Sequence, residues 1–381
     1  MFKRTLSPHL LELKNQFPIL AILGPRQSGK TTLSRTLFPS YRYINLESFQ
    51  EREFAETDGK GFLERLRNEE GVILDEIQKA PTLLSYLQIE VDERPKLGRF
   101  ILTGSQNFLL NQQISQTLAG RVALTTLLPL SIRELKEAGH LPPTSEEAIF
   151  QGFYPRLYAD KQRPTVFAES YIRTYIERDV RDMKSITSLT DFQKFMRLCA
   201  ARIGQLLNLS SLATEAGLSL ATVKSWLSIL EASYILFLLQ PFHTNLNKRL
   251  VKTPKLYFYD TALACNLLRI TSSDDVYDHY LRGGLFESMI LSDFVKQRFH
   301  NALPPNAYFW RDKMGHEIDC ILEEGSHVRP IEIKSGSTIN ADMFSELTHW
   351  AHPHKIDGTV IYAGSEEQQR PQGRAVPWNC L

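Results

Sequence analysis

Short apolar runs alternate with polar, helix-prone stretches along the first third of the chain. Segments of strand length and pattern lie at residues 19–23, 41–47, 71–74, 99–102 and 122–127. Between them the chain is charged or has apolar positions at helical spacing, as in residues 7–17 and 49–69. Strands that alternate with helices predict a parallel α/β sheet covered by helices on both faces.

The middle of the chain has the pattern of a helix-turn-helix. Residues 210–216 predict one helix, Gly217 a turn, and residues 219–230 a second helix, while the apolar run 234–239 predicts the first strand of a wing. A DNA-binding module would present four polar residues of the second helix, Ser219, Thr222, Lys224 and Ser225. That set contains a single cation, and winged modules also serve as protein contacts or lids, so both interpretations stay open.

The last third predicts a helix followed by a set of strands. Residues 284–291 have the spacing of an amphipathic helix that carries Glu287. Strands are predicted at 308–311, 317–322 and 329–334, and the last two are joined by a turn at 323–326.

The period of a strand determines which polar side chains of this hairpin can meet. It places Glu332 and Lys334 on one face of their strand, with Ile331 and Ile333 buried on the other face. Asp319 lies on the neighbouring strand, so it can converge with Glu332 and Lys334. Composition alone leaves a second interpretation open, in which these residues form a solvated strand face.

Length and composition set the domain number and the compartment. A chain of 381 residues predicts two or three domains, which we place at residues 1–141, 148–250 and 251–381, with a linker at 142–147. The net charge of +1 gives no bulk attraction to nucleic acid, so any such surface must be local. Four scattered cysteines and the lack of a membrane-spanning apolar run predict a cytoplasmic protein that does not enter a membrane.

A phosphate-binding P-loop connects the first strand to the next helix. Residues 24–31 fit G-x-x-x-x-G-K-[ST] in the strand–loop–helix context that this motif requires. The expected ligand is ATP or ADP. Lys30 is expected to contact the β- and γ-phosphates of ATP, and the Thr31 hydroxyl to bind Mg²⁺. The expected nucleotide-binding residues are Gly24, Pro25, Arg26, Gln27, Ser28, Gly29, Lys30, Thr31 and Thr32. The alternative is a chance glycine-rich turn.

A second motif, at the end of the strand 71–74, has the form of a Walker B sequence. Asp75 would lie at the carboxyl edge of the sheet and bind Mg²⁺, and Glu76 would orient and deprotonate the attacking water. Acidic residues also favour the first turn of a helix, so an acidic cap is the alternative. The P-loop upstream favours the catalytic interpretation.

Two further positions are candidates for sensing the γ-phosphate. The buried strand 99–102 leads into Ser105 and Gln106, whose side chains could reach between the two Walker motifs, although simple turn residues are the alternative. Arg121 precedes the strand 122–127 and could contact a γ-phosphate in its own subunit or in a neighbour. A solvated surface arginine is the other interpretation of Arg121.

These motifs together resemble a bacterial and archaeal family of AAA+-type ATPases that carry a C-terminal domain of unknown function. The resemblance rests on residues 24–32, on Leu-Asp-Glu-Ile-Gln-Lys-Ala-Pro at 74–81, on Leu-Thr-Gly-Ser at 102–105 and on Leu-Ala-Gly-Arg at 118–121. It implies an AAA+-like sheet and cytoplasmic ATP binding, and it is consistent with a homo-oligomeric ring, while a lone subunit or a dimer stays open. The family pattern Tyr-Ile-Glu-Arg-Asp-Val at 175–180 is consistent with a region that transmits the nucleotide state. A helix with salt-bridged exposed faces and a surface that lines nucleic acid are the alternatives.

The C-terminal residues resemble the PD-(D/E)XK nuclease fold. By this resemblance Asp319 and Glu332 would bind Mg²⁺, Lys334 would position water or stabilise developing charge, and Glu287 would support the metal. Ile318 stands where the motif has proline, and the fold includes members that bind without cleaving.

Three functions are consistent with these patterns. The first is an AAA+-like ATPase whose hydrolysis moves a nuclease-like domain on double-stranded DNA. The second is a nucleotide-switched module that binds a protein partner through a catalytically inactive C-terminal fold. The third is a small-molecule kinase, which the extra domains disfavour.

Overall fold

The computed structural model describes residues 2–105, 114, 116–176, 188–242, 253–354 and 358–381, with backbone alone at 175–176 and 351–354. Gln106 and most of the 175–180 pattern lie outside the described residues. The chain forms two compact units. The smaller contains residues 3–129 and 299–303, and the larger contains residues 130–298 and 304–381.

The smaller unit is built on a parallel sheet. Its strands are β1 (Ile19–Gly24), β2 (Arg42–Asn45), β3 (Val72–Asp75), β4 (Phe100–Ser105) and β5 (Val122–Thr126). They pair in the order β2-β3-β4-β1-β5. Every pair is parallel, which requires a crossover connection between the strands. The predicted parallel α/β sheet is therefore confirmed.

One helix precedes β1, others connect the strands, and together they leave both faces of the sheet covered. They are α1 (Ser7–Leu13), α2 (Lys30–Leu37), α3 (Phe49–Thr57), α4 (Gly59–Arg65) and α5 (Leu83–Glu93). Alternate residues of β1 belong to two different apolar clusters, with Ala21 in one and Ile22 in the other. The predicted helix over 49–69 is two helices, because the Asp58 side chain accepts the Gly61 N–H and starts α4.

Residues 130–300 are mainly helical. The helices are α6 (Ile132–Glu137), α7 (Ser145–Gln151), α8 (Pro155–Ala159), α9 (Pro164–Tyr171), α10 (Leu189–Ala200), α11 (Leu209–Ala216), α12 (Leu220–Ala232), α13 (Thr261–Leu267), α14 (Ser273–Asp278) and α15 (Arg282–His300). The predicted linker at 142–147 is shorter than expected. Thr144 accepts the Glu147 N–H and caps α7, so the helix begins inside that segment.

The helix-turn-helix pattern corresponds to α11 and α12. Gly217 ends α11 with a left-handed φ of 74°, and the Ser219 hydroxyl accepts the Thr222 N–H at the start of α12. β6 (Leu236–Leu239) then pairs antiparallel with β7 (Lys255–Phe258). The tip of the predicted wing falls on 243–252, outside the described residues.

The C-terminal residues form a mixed sheet. Its strands are β8 (Ala307–Arg311), β9 (Glu317–Glu324), β10 (His327–Lys334), β11 (Gly358–Tyr362), β12 (Gln368–Arg370) and β13 (Gly373–Pro377). The order is β12-β13-β11-β10-β9-β8, so β10 is a central strand. α16 (Ser345–His354) contributes Leu347 and Trp350 to the apolar cluster on this sheet. The α/β class of the C-terminal region is confirmed.

The larger unit contains both the predicted middle domain and the predicted C-terminal domain. The three-domain division therefore stays a prediction. Among the helices that the structure describes, none has both the length and the apolar character needed to cross a bilayer.

Candidate functional site

The P-loop turns sharply between β1 and α2, and two glycines allow the turn. Gly24 has φ +147°, and a Cβ at this position would lie 2.2 Å from the Leu127 carbonyl oxygen. Gly29 has φ 98° and stands at the amino end of α2. Both backbones are in a region that side chains other than glycine rarely adopt. The loop therefore packs against residue 127 as closely as backbone atoms allow.

The ammonium group of Lys30 is held by its own loop. Its Nζ donates to the carbonyl oxygens of Gly24 at 3.1 Å and Pro25 at 2.6 Å. The side chain is 6% exposed. Phosphate oxygens would offer this ammonium anionic acceptors, which form stronger hydrogen bonds than neutral carbonyls.

Three hydroxyl groups converge on the Asp75 carboxylate. Thr31 Oγ1 donates to Oδ2 at 2.9 Å, the Tyr43 hydroxyl donates to Oδ2 at 2.7 Å, and the Thr103 hydroxyl donates to Oδ1. Burial, followed by the neighbouring Asp75 carboxylate, raises the pKa of Tyr43 above its usual range, so the phenol stays a donor. The structure thus joins the two residues expected to bind Mg²⁺, Thr31 and Asp75.

Glu76 lies beside Ser105 at the same edge of the sheet. The Gln78 amide donates to the Glu76 carboxylate and, at 2.8 Å, to the Ser105 hydroxyl, which is 3.5 Å from Glu76 Oε2. Glu76 has a left-handed φ of 59°, an uncommon and strained conformation for a residue with a side chain. Sequence reasoning missed Gln78, although its position two residues after Glu76 was a usable signal.

Arg4 supports the P-loop from the amino-terminal segment. Its guanidinium is 5% exposed and donates to the carbonyl oxygens of Ser28 and Leu128, each at 2.7 Å. The group therefore connects the loop to the segment that follows β5. Nothing in the sequence near Arg4 identified it, because its partners lie far along the chain.

The remaining predicted nucleotide-binding residues differ in exposure. Pro25 and Ser28 are buried in the loop, Arg26 and Gln27 are partly exposed, and Thr32 is exposed on the first turn of α2.

The structure does not bring Arg121 to the P-loop of its own subunit. The Arg121 carbonyl accepts the N–H of Ile19, at the beginning of β1, whereas the P-loop follows the end of β1. Five residues of strand separate the two edges by roughly 16 Å. Arg121 pairs instead with Asp92 through Nε at 2.6 Å. The expected contact in the same subunit is therefore corrected, and only the contact with a neighbouring subunit stays a prediction.

A second site, which we call the carboxylate cluster, lies in the larger unit. It consists of Glu287, Glu317, Asp319 and Glu332, with Lys255 and Lys334. Lys334 Nζ is 3.3 Å from Asp319 Oδ2 and also pairs with Glu332. Asp319 Oδ2 further accepts the Ile333 N–H at 2.8 Å. The three residues that the strand period predicted to converge are together.

Three residues in or next to the carboxylate cluster, Lys255, Tyr257 and Glu317, were not identified from the sequence. Lys255 pairs with Glu317 and lies 4.0 Å from Glu287 Oε2, and the Tyr257 hydroxyl donates to Glu287 at 2.9 Å. Lys255 and Tyr257 belong to β7, which reads as an ordinary strand of the middle region. Their role depends on tertiary packing that the local pattern does not contain.

The carboxylate cluster is buried enough to shift its own ionisation. Burial, then the nearby Asp319, raises the pKa of Glu287 to about 7 and that of Glu332 to about 8. Burial alone would lower the pKa of Lys255 and of Lys334, but the surrounding carboxylates outweigh it and raise both. The cluster thus contains four carboxyl groups and two ammonium groups. This excess of acidic over basic side chains suits a divalent cation.

Family models match three consecutive parts of the chain. The model of the AAA domain matches residues 16–136. Two domains of unknown function follow, DUF8612 over residues 143–274 and DUF4143 over residues 282–381.

We call residues 16–136, which match the AAA domain and carry a P-loop on a parallel sheet, the AAA-type domain.

Relatives cover most of the chain at low identity. Uncharacterized proteins of Mycobacterium tuberculosis and Mycobacterium bovis are each 28% identical over 357 residues, which is 91% of this chain and 77% of theirs. An uncharacterized protein of Methanocaldococcus jannaschii is 22% identical over 80% of this chain and 72% of its own.

Solved structures align with part of the chain at low identity. A Walker-type ATPase of Pyrococcus abyssi aligns with a TM-score of 0.47 at 16% identity, over 70% of this chain and 96% of its own. Thermotoga maritima RuvB aligns with a TM-score of 0.32 at 16% identity, over 61% of this chain and 86% of its own.

The AAA-type domain offers donors that fit a nucleotide with Mg²⁺. A glycine-lined loop at a helix amino terminus suits phosphate, and the Thr31 hydroxyl with the Asp75 carboxylate supplies the hard oxygen ligands that Mg²⁺ prefers. The carboxylate cluster also offers oxygen ligands, in Asp319 and Glu332.

Proposed function

We propose that the AAA-type domain binds and hydrolyses ATP with Mg²⁺, and that the nucleotide state controls a nucleic-acid-directed carboxylate cluster in the C-terminal region. The observation that carries the first part is the contact between Thr31 and Asp75, directly beside the Glu76–Ser105 pair. Thr31 and Asp75 would hold the metal, which neutralises phosphate charge when bound.

The other residues of the AAA-type domain take roles that follow from their positions. Lys30 exchanges its loop carbonyls for phosphate oxygens and stabilises negative charge on the transferred group. Glu76 accepts the proton of the attacking water, and the Gln78 amide orients the Glu76 carboxylate by donating a hydrogen bond to it. Ser105, within reach of both, senses the γ-phosphate.

In the carboxylate cluster, Asp319 and Glu332 would hold a Mg²⁺ ion that polarises a phosphodiester. Lys334, already between these two carboxylates, stabilises the charge that develops on the phosphate. Glu287 orients the ligands, and Lys255 limits the excess negative charge. A site of this composition acts on nucleic acid by binding it or by cleaving it.

The second candidate function is a nucleotide-switched contact with a protein partner. Two observations favour it: Lys334 is engaged by two carboxylates, and the segment 220–232 of the helix-turn-helix carries a single cation, Lys224. Phosphate contacts dominate DNA affinity, so a module with few cations binds DNA weakly. In either case we propose a homo-oligomer in which Arg121 reaches the nucleotide of a neighbouring subunit.

The test combines ATPase and nuclease assays on the full chain. ATP hydrolysis is measured with and without double-stranded DNA, and plasmid nicking is measured with Mg²⁺ for the wild type and for Lys334→Ala. Lys313→Ala, an exposed lysine next to the same sheet, is the matched control. DNA-stimulated hydrolysis, with nicking that Lys334→Ala alone removes, supports the nuclease proposal. A rate of ATP hydrolysis that DNA does not change, together with an absence of plasmid nicking, supports the protein-partner function.

A further inference from the structure

A cluster of two histidines and one aspartate lies outside the carboxylate cluster. Asp312 and His316 bound the turn that joins β8 to β9, and His349 lies on α16. One ligand atom from each residue can be chosen such that all three atoms lie within 4.8 Å of one another. The histidine rings stack with centroids 4.0 Å apart and planes 20° apart.

The hydrogen bonds of His316 and Asp312 are those of oriented metal ligands. His316 Nδ1 is 3.1 Å from Glu346 Oε2, and a proton on Nδ1 that is donated to this carboxylate would leave Nε2 as the electron-pair donor. Asp312 Oδ1 accepts the N–H groups of Met314 at 2.8 Å and His316 at 3.0 Å. The aspartate is therefore held by the turn while its second oxygen is available for a ligand contact.

The backbone that carries the three residues is anchored. The Asp312 N–H donates to the His316 carbonyl at 3.0 Å and closes the turn. Trp310 of β8 packs edge-on against Trp350 of α16, with ring centroids 4.8 Å apart, directly beside the cluster. The turn and the helix thus approach each other at a fixed point.

We propose that Asp312, His316 and His349 bind a divalent transition-metal ion of the zinc class. Imidazole nitrogen with one carboxylate oxygen suits Zn²⁺, whereas Mg²⁺ prefers an all-oxygen set. Ligand atoms about 2.1 Å from a common ion lie within ~4.2 Å of one another. The ligand atoms are at present within 4.8 Å of one another, so the stacked rings must turn and draw closer for both lone pairs to meet one ion.

The bound ion would tie the β8–β9 turn to α16. β9 begins at Glu317, the residue after His316, and Asp319 is its third residue. The ion would therefore fix the start of the strand that supplies two members of the carboxylate cluster. Three protein ligands leave a fourth position open to water. This inference does not depend on ATP hydrolysis or on nucleic acid.

The experiment uses the full chain without an affinity tag, stripped of metal by a chelator and then dialysed with Zn²⁺ in millimolar Mg²⁺. The Mg²⁺ competes for all-oxygen sites. We expect the wild type to retain one Zn²⁺ per chain by elemental analysis, and Co²⁺ to give a visible spectrum typical of nitrogen ligation.

Three variants test whether this cluster binds the retained Zn²⁺. His349→Ala, at an exposed position, is expected to lose the retained Zn²⁺, and Asp312→Ala to weaken Zn²⁺ affinity. Glu346→Gln, which alters only the orienting partner, should keep the stoichiometry with affinity reduced about 10- to 100-fold. His327→Ala, an exposed histidine on β10, is the control and should bind like the wild type. A wild type that retains no Zn²⁺, or a His349→Ala variant that binds it unchanged, would overturn the proposal.

Discussion

The hydroxyl of Thr31 donates a hydrogen bond of 2.9 Å to the carboxylate of Asp75. Thr31 lies in the first turn of α2 and Asp75 is the last residue of β3, so their contact depends on the parallel arrangement of β1 and β3 on either side of β4. The contact unites the two motifs at one edge of the sheet. The Thr31 hydroxyl and the Asp75 carboxylate are also the two oxygen ligands that we propose for Mg²⁺.

Replacing Thr31 with valine should separate metal binding from nucleotide binding. Valine keeps the shape of threonine but lacks the hydroxyl that contacts Asp75. We expect ATP affinity measured with Mg²⁺ to fall about 10-fold or more, which corresponds to roughly 1.4 kcal/mol. Affinity measured in EDTA should change little. Thr36→Val, an exposed position on the same helix, is the control, and equal losses with and without Mg²⁺ would contradict the assignment.

The buried guanidinium of Arg4 should matter for both stability and nucleotide binding. Arg4→Ala leaves the carbonyl oxygens of Ser28 and Leu128 without their donor, at a cost of about 1–3 kcal/mol for a buried unsatisfied group. We expect a lower midpoint of thermal unfolding and weaker nucleotide binding, because the loop loses its support. The exposed Arg42→Ala serves as control. Unchanged nucleotide affinity in a folded Arg4→Ala protein would contradict this role.

The carboxylate cluster should make stability fall as pH rises when no metal is present. The pKa of Glu332 is raised in the folded state to about 8 from an ordinary value of 4.5, by burial and then by Asp319, against the opposing charge of Lys334. The folded state therefore binds more protons than the unfolded state between these values. The associated stability is fully present below pH 4.5 and is lost as pH rises through about 8.

The change Glu332→Gln tests this pH dependence, because the neutral amide mimics the protonated carboxyl. The fall in unfolding midpoint between pH 5 and pH 8, measured in EDTA, should be smaller than in the wild type. For a unit of this size, each kcal/mol of pH-dependent stability that the variant lacks should correspond to about 2–4 °C in the unfolding midpoint. Glu324→Gln, an exposed glutamate on β9, should follow the wild type. Parallel curves for Glu332→Gln and the wild type would refute the burial argument.

Lys255 should be required for the fold mainly when Mg²⁺ is absent. It is 4% exposed, and Lys255→Met leaves Glu317 without this partner and Glu287 without its nearby positive charge, which costs about 3 kcal/mol for a broken buried pair. A metal ion would replace part of the lost positive charge. We therefore expect a lower unfolding midpoint in EDTA that Mg²⁺ partly restores, whereas the exposed Lys313→Met should respond to neither. A loss that Mg²⁺ does not reduce would mean that the carboxylate cluster binds no metal.

The sequence was sufficient to predict the fold and the site residues where one local pattern defines both the structure and the chemistry. The P-loop and Asp75 could be found because their spacing is dictated by phosphate and Mg²⁺, and β1 to β5 because their apolar runs are bounded by turns. The position of a residue relative to the two edges of the sheet was harder to predict, so the sequence left open whether Arg121 reaches the nucleotide of its own subunit, that of a neighbour, or only solvent.

The alternation at 331–334 was enough to predict that Glu332 and Lys334 meet Asp319, whereas the burial of Glu332, which is 2% exposed, depends on packing around the central strand β10. The residues that were missed also have a tertiary cause. Arg4, Lys255 and Tyr257 act through partners distant in sequence, so no window around them contains the signal. Only the folded chain brings these residues to the sites.

The most direct test of the central claim is ATP turnover by Glu76→Gln beside ATP binding by the same protein. Glu76 is placed as the proton acceptor, with Gln78 and Ser105 around its carboxylate. We predict ATP affinity within about threefold of the wild type and turnover reduced about 100-fold or more, within the range for loss of a general base. Lys30→Ala should lose binding as well. Undiminished turnover in Glu76→Gln would contradict the account.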